Sequence, residues 1–256
     1  MDTRFPVLMY HGISGDLVSA TNGNGKYIIA EEKFIAHLDE IHRQRLQVVP
    51  LKTAWSNGTS INHGPVVVLT FDDGLASHYE IVFPSLLREG MEADFFINPA
   101  TIGKTGYLSW KQIAAMQRYG MSFYSHGQEH IDLTRLPLET LRHHLRFSKQ
   151  SLEDHLGRSV EFLAAPYGLL NNKVIEVAEE EGYYAVCNSV SRPAMPGARS
   201  INRIAVYRHT PIRTFRQILK QHPFPYFLRQ ARSALLYFPK RILNQLSVLE
   251  ITPPRR

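Results

Sequence analysis

The strongest constraint on this chain is an alternation. Short, continuously apolar runs take turns with longer stretches whose apolar residues recur at helical spacing. Residues 66–71, Val-Val-Val-Leu-Thr-Phe, are the clearest of the apolar runs. Others fall at residues 7–10, 47–49, 93–97, 121–124, 161–164, 184–187 and 203–206. Helical spacing covers residues 31–45, 79–88, 110–119 behind a Ser109 cap, 138–156 up to Gly157, and 172–181 up to Gly182, and a last helix opens at Pro211. Strands with no polar face need cover on both sides, which helices over a parallel sheet provide. About eight strands over about 220 residues predict the α/β class and a distorted, TIM-like (β/α) barrel. A doubly wound open sheet is the rival, weakened because no G-x-G-x-x-G follows the first strand.

The chain has 256 residues, 44% hydrophobic and 20% charged, enough apolar side chain for a folded core. Its single cysteine, Cys187, excludes a disulfide framework and a Cys-rich zinc module, and reads as a buried small hydrophobe. No run reaches the ~18 apolar residues of a membrane span. Met1-Asp2-Thr3-Arg4 does not open a signal peptide, so a cytoplasmic location is expected. The net charge of +6 is uneven: residues 221–256 hold six basic residues against one acid. This predicts a domain at 1–220 and a basic, amphipathic helical tail at 221–256, and it argues against a nucleic-acid-binding body. Residues 223–249, with Phe224, Tyr226, Phe227, Leu235, Leu236 and Tyr237 among basic side chains, suit peripheral contact with the inner face of a membrane. Packing on the barrel or on a second copy is the alternative, which leaves a homo-oligomer open.

A barrel of this kind carries its chemistry just after the strands. The unusual polar residues stand there: His11, Asp72-Asp73, His126 with His130, and Pro166-Tyr167-Gly168. Adjacent carboxylates repel unless a cation or a proton divides their roles. Two imidazoles at i and i+4 on a helical turn face one way, as a shared metal requires. One carboxylate and two histidines make a three-ligand site for zinc, or for cobalt, nickel or iron. The metal would acidify a bound water, and the second carboxylate would be the base that takes its proton. The pairs His143/His144 and His37/His42 read as solvated helix positions. Asn98, at a strand end, could bind substrate, and Trp110 with Tyr107 could stack on a sugar face.

On these residues the sequence resembles the polysaccharide deacetylase family, the NodB-homology or carbohydrate esterase 4 group. Thr70-Phe71-Asp72-Asp73-Gly74 matches its first motif and His126-Gly127-Gln128-Glu129-His130 its second, with Gly127 in place of the more usual Ser or Thr. Ala165-Pro166-Tyr167-Gly168 matches the end of the third. The resemblance spans roughly residues 5–220. It implies that Asp72 is the general base, that Asp73, His126 and His130 bind the metal, that the Tyr167 N–H holds the oxyanion, and that Pro166 lies against substrate. Two departures stand out. The arginine that often opens the third motif and orients the base is missing, with Ala164 and Ala165 in that region. No clear Leu-x-His supplies the general acid. His209 is one candidate. His11, in Tyr10-His11-Gly12, is the better one, since it resembles the N-terminal histidine of the poly-N-acetylglucosamine deacetylase-like branch, which also commonly lacks the arginine. The function implied is metal-dependent N-deacetylation of a bacterial exopolysaccharide of the biofilm or surface-adhesin type, or of its lipid-linked precursor. Deformylation or deacetylation of a lipid-linked amino sugar for envelope glycolipid is the alternative.

Overall fold

Every residue of Val66–Asp72 is buried, as a strand covered on both faces must be. It is the central strand, β5, of a parallel sheet. The computed structural model describes residues 4–15, 25–57, 64–223 and 225–226. The strands are β1 (Val7–Tyr10), β2 (Ile13–Ser14), β3 (Ile29–Ala30), β4 (Gln47–Val48), β5, β6 (Asp94–Ile97), β7 (Ser122–Ser125), β8 (Phe162–Ala164), β9 (Ala185–Cys187), β10 (Ser200–Ile201) and β11 (Ile204–Ala205). The helices are α1 (Glu31–Arg43), α2 (Leu51–Asn57), α3 (Phe83–Arg88), α4 (Trp110–Gln117), α5 (Leu138–Leu156), α6 (Asn172–Glu180) and α7 (Ile212–Leu219).

The main sheet runs β10-β9-β8-β7-β6-β5-β1-β11, with β4 also paired to β5. Its paired strands are parallel. The two ends of that order decide between the two predicted architectures. Seven strand spacings of ~4.8 Å would hold β10 and β11 about 34 Å apart in a flat sheet. Only Asn202 and Arg203 separate the two strands in the chain, a reach of about 11 Å. The sheet therefore curls round until its edges meet, giving a distorted (β/α) barrel whose seam lies at residues 202–203.

The helices bury one stripe each. On α5 the buried residues are Leu141, Leu145, Ser148, Leu152 and Leu156, and Gly157 ends the helix in the left-handed conformation at φ 64°. Ser109 and Gln112 form a reciprocal capping box at the start of α4. Two histidines read as solvated are not. His37 on α1 is fully buried, its Nδ1 paired with the Tyr10 hydroxyl at 3.2 Å and its ring stacked on Phe215 at 3.9 Å. His144 on α5 is half-buried. Cys187 is buried. Among the described residues no helix is long and apolar enough to cross a membrane. The tail expected at 221–256 lies almost wholly outside the described residues. Tyr226 is its last described residue, buried with its hydroxyl donating to the Ile218 carbonyl at 2.8 Å.

Candidate active site

The C-terminal ends of β1, β5, β7, β8 and β9 open into one pocket, lined among others by His11, Asp72, Asp73, His126, His130, Tyr167 and Arg203. Asp72 is the last residue of β5 and only 2% exposed. A carboxylate buried so deeply needs a counter-charge. Arg203, at the barrel seam and 1% exposed, supplies it in a two-pronged pair: Nη1 to Oδ1 at 2.6 Å and Nη2 to Oδ2 at 2.7 Å. Its Nε donates to the Asn188 carbonyl at 3.3 Å, and the guanidinium lies 5.0 Å from the Phe96 ring centre. Burial alone would raise the Asp72 pKa, but the charge and hydrogen bonds of Arg203, joined by His126 and His11, together outweigh it and hold the carboxyl below the usual carboxylate range. In place of the arginine missing from residues 164–165, one reaches the base from the link between β10 and β11. A signal for it was present in the sequence. An arginine inside Ile201-Asn202-Arg203-Ile204-Ala205-Val206 sits in an apolar run, where a cation survives only with a partner.

Asp73 follows with φ 76°, a left-handed conformation unusual for any residue but glycine or asparagine. That turn sends its side chain away from Asp72 and toward the histidines. Its Oδ1 lies 3.5 Å from His126 Nε2 and 3.7 Å from His130 Nε2. One ligand atom from each of Asp73, His126 and His130 falls within 4.8 Å of the others. His126 Nδ1 bonds the Ala164 carbonyl at 2.8 Å, which leaves Nε2 with its lone pair facing Asp73. This donor set fits a divalent metal. Burial would raise the Asp73 pKa, but His126, His11 and His130 hold it well below the carboxylate range. Burial pulls His126 down, while Asp72 and Asp73 pull it further the other way and leave it raised. The two imidazoles do not share a helical turn, as the i, i+4 spacing predicts. They stand on an irregular turn after β7, with ring centres 5.0 Å apart.

His11 leaves the end of β1 and stacks on Tyr27, ring centres 4.5 Å apart. Its carbonyl is held by His78 Nε2 at 2.9 Å. Burial lowers its pKa, against the pull of the Asp72 and Asp73 charges. His209 is exposed and lies outside the pocket lining. Tyr167 follows β8 with φ 59°, and its ring lies edge-on to His130 at 4.4 Å. Gly168 beside it, at φ 68°, has no room for a side chain, since a Cβ there would come within 1.8 Å of Ser189 Oγ.

The residues expected to touch substrate are placed elsewhere. Asn98 is buried, and its amide donates to the His126 and Gly127 carbonyls at 2.6 and 3.0 Å, so it supports the histidine turn. Trp110 starts α4 and stacks on His155 at 3.9 Å, away from the pocket. Tyr107 pairs by backbone with Leu75, and Pro166 is buried behind Tyr167. Neither lines the pocket.

Residues 60–186 match the family model described as Polysaccharide deacetylase. The chain carries a polysaccharide deacetylase domain. The YxkH protein of Bacillus subtilis (strain 168) is 29% identical over 182 residues, covering 70% of this chain and 62% of that protein. A bifunctional xylanase/deacetylase of Pseudobutyrivibrio xylanivorans is 26% identical over 125 residues, 48% of this chain and 20% of that protein. The match thus spans less than two thirds of either relative. Among solved structures, the Streptococcus pyogenes deacetylase PplD in complex with acetate superposes with a TM-score of 0.76 at 24% identity, over 85% of this chain and 97% of that one. IcaB from Ammonifex degensii superposes with a TM-score of 0.71 at 23% identity, over 85% and 96%. Both share the distorted barrel described above.

Proposed function

We propose that the chain hydrolyses the acetamido group of an N-acetylated amino sugar, in an exopolysaccharide of the biofilm or adhesin kind or in its lipid-linked precursor, with a divalent metal ion, zinc first, as cofactor. One observation carries this reading: the arginine-held Asp72 stands directly beside the Asp73, His126 and His130 cluster in a single pocket. Two adjacent carboxylates are thereby given different tasks. Arg203 fixes one as an ionised base, and the imidazoles turn the other into a ligand.

An ion held by Asp73, His126 and His130 supplies Lewis acidity at the amide carbonyl and acidifies water. Asp72 takes the proton of the water that attacks the carbonyl carbon, a role suited to a carboxylate kept ionised at neutral pH. The Tyr167 backbone N–H, on the pocket wall, donates to the carbonyl oxygen as it gains negative charge. His11, in the lining of the same pocket, protonates the sugar nitrogen as the C–N bond breaks. The products are acetate and a free amine.

The test is release of acetate from N-acetylglucosamine oligomers, with formate measured in parallel. The reaction should stop on chelation and return with Zn²⁺. Asp73→Asn and His126→Ala should each abolish it. Full activity after chelation, or in either variant, overturns the reading.

A further inference from the structure

The turn that carries His126 and His130 belongs to neither a helix nor a strand, yet it must hold two rings to within a fraction of an ångström of a common point. Its backbone is fastened group by group. The His126 N–H donates to the Ile97 carbonyl at 2.9 Å, and the Asn98 amide holds the next two carbonyls. The Gly127 N–H donates to Ser125 Oγ at 3.0 Å, which in turn meets Ser148 Oγ of α5 at 2.8 Å. The Gln128 N–H donates to His144 Nε2 of α5 at 3.0 Å.

His144 and Ser148 are one helical turn apart on α5, so both reach the same neighbour. The adjacent His143 is exposed. Position 127 closes the argument. Gly127 sits at φ 80°, and a Cβ there would stand 2.9 Å from His144 Nε2 and 3.2 Å from the Glu129 carbonyl oxygen. The imidazole occupies the space a side chain at 127 would fill, so glycine and His144 are two halves of one arrangement. Burial lowers the His144 pKa, which favours the neutral ring that accepts at Nε2.

We propose that His144 is a positioning residue for the metal-binding turn, fixing from α5 the stretch of backbone between the two imidazoles. The inference rests on the metal cluster proposed above. It adds that the affinity of that cluster is set partly by a residue that is not a ligand.

The experiment measures Zn²⁺ affinity of the full chain by competition with a chromophoric chelator. It compares wild type, His126→Ala, His144→Ala, His144→Gln, Gly127→Ala and the double variant Gly127→Ala with His144→Ala, each checked for fold by circular dichroism. Wild type should bind one Zn²⁺ and His126→Ala should lose it. His144→Ala should weaken binding about 10- to 100-fold with the fold intact, the usual reach of residues that orient a ligand. His144→Gln, whose carbonyl oxygen can accept from the Gln128 N–H, should recover part of that loss. Gly127→Ala should also weaken binding, and by a smaller factor when His144 is already alanine, because the two changes act on one contact. If His144→Ala binds Zn²⁺ as wild type does while His126→Ala does not, the positioning role is overturned and the metal cluster stands. If wild type binds no Zn²⁺, the cluster itself fails and the inference with it. If Gly127→Ala and His144→Ala combine as independent factors, their coupling is refuted.

Discussion

Replacing Arg203 by methionine removes the only cation hydrogen-bonded to Asp72 among the described residues. Both groups are almost fully buried, so solvent does little to screen the loss. Breaking a buried pair by removing one partner costs about 3–5 kcal/mol, chiefly because the remaining charge is stranded. At ~1.4 kcal/mol per pKa unit, the lower end of that range moves the acid limb of the kcat/KM profile upward by about two units. Arg203→Met should therefore lose more activity than wild type at the acid end of the profile and recover part of it at higher pH, as the base is ionised again. Arg203→Lys should fall between, since an ammonium cannot grip both oxygens. Stability supplies the independent check. Asp72→Asn strands the arginine, and Arg203→Met strands the carboxylate, so each single variant should unfold at lower temperature. The double variant removes both charges and should be more stable than the sum of the single effects predicts. The assays are acetate release from about pH 5.5 to about pH 9.5 and thermal unfolding of the four proteins. An unmoved pH profile in Arg203→Met, or strictly additive destabilisation, refutes the claim that Arg203 keeps the base ionised.

Other changes give sharper or simpler readings. His11→Ala should lower kcat by ~10²–10⁴ while Zn²⁺ binding persists, and His209→Ala should leave the rate unchanged; the reverse pattern moves the acid to His209. Gly168→Ala would press a methyl group into Ser189 and should destabilise the fold by about 2 kcal/mol or more, measurable as a lower Tm. Asp94 is buried at the start of β6, accepting the Leu51 N–H at 2.8 Å, and burial pushes its carboxyl up to about 8. Between the ordinary carboxylate value near ~4 and about 8, the folded chain holds a proton that the unfolded chain lacks. This contribution to stability falls as pH rises through that window. Asp94→Asn should flatten the decline in Tm between about pH 5 and about pH 8; an unchanged slope refutes the assignment.

Much of this molecule is legible in its sequence because local chemistry and global fold agree. The run 66–71 and the helix ending at Gly157 need only their own residues to declare themselves, and the elements they predict are present. Strands β2, β3 and β10 do not, because two residues carry no period. Helix α2, seven residues long, gives too little pattern as well. At the site, Asp72, Asp73, His126 and His130 are visible as motifs, but their division of labour is set by Arg203, far along the chain. His144 fails for a similar reason. A histidine beside another histidine on a polar helix looks solvated until the turn it supports is in place. Asn98 misleads differently: its place at a strand end is right, but its amide is committed to the backbone next door.

The meeting of the sheet's two edges has a temporal side. Asp72 and the guanidinium that answers it are 131 positions apart, and the latter lies where the barrel closes. A polypeptide emerging from the ribosome N-terminus first makes both acids, both imidazoles and most of the wall before it makes that cation. Until the last staves are laid, the acid has no reason to stay charged in an apolar interior, so an incomplete nascent domain would be catalytically silent. Competence and closure would then arrive together, as one event.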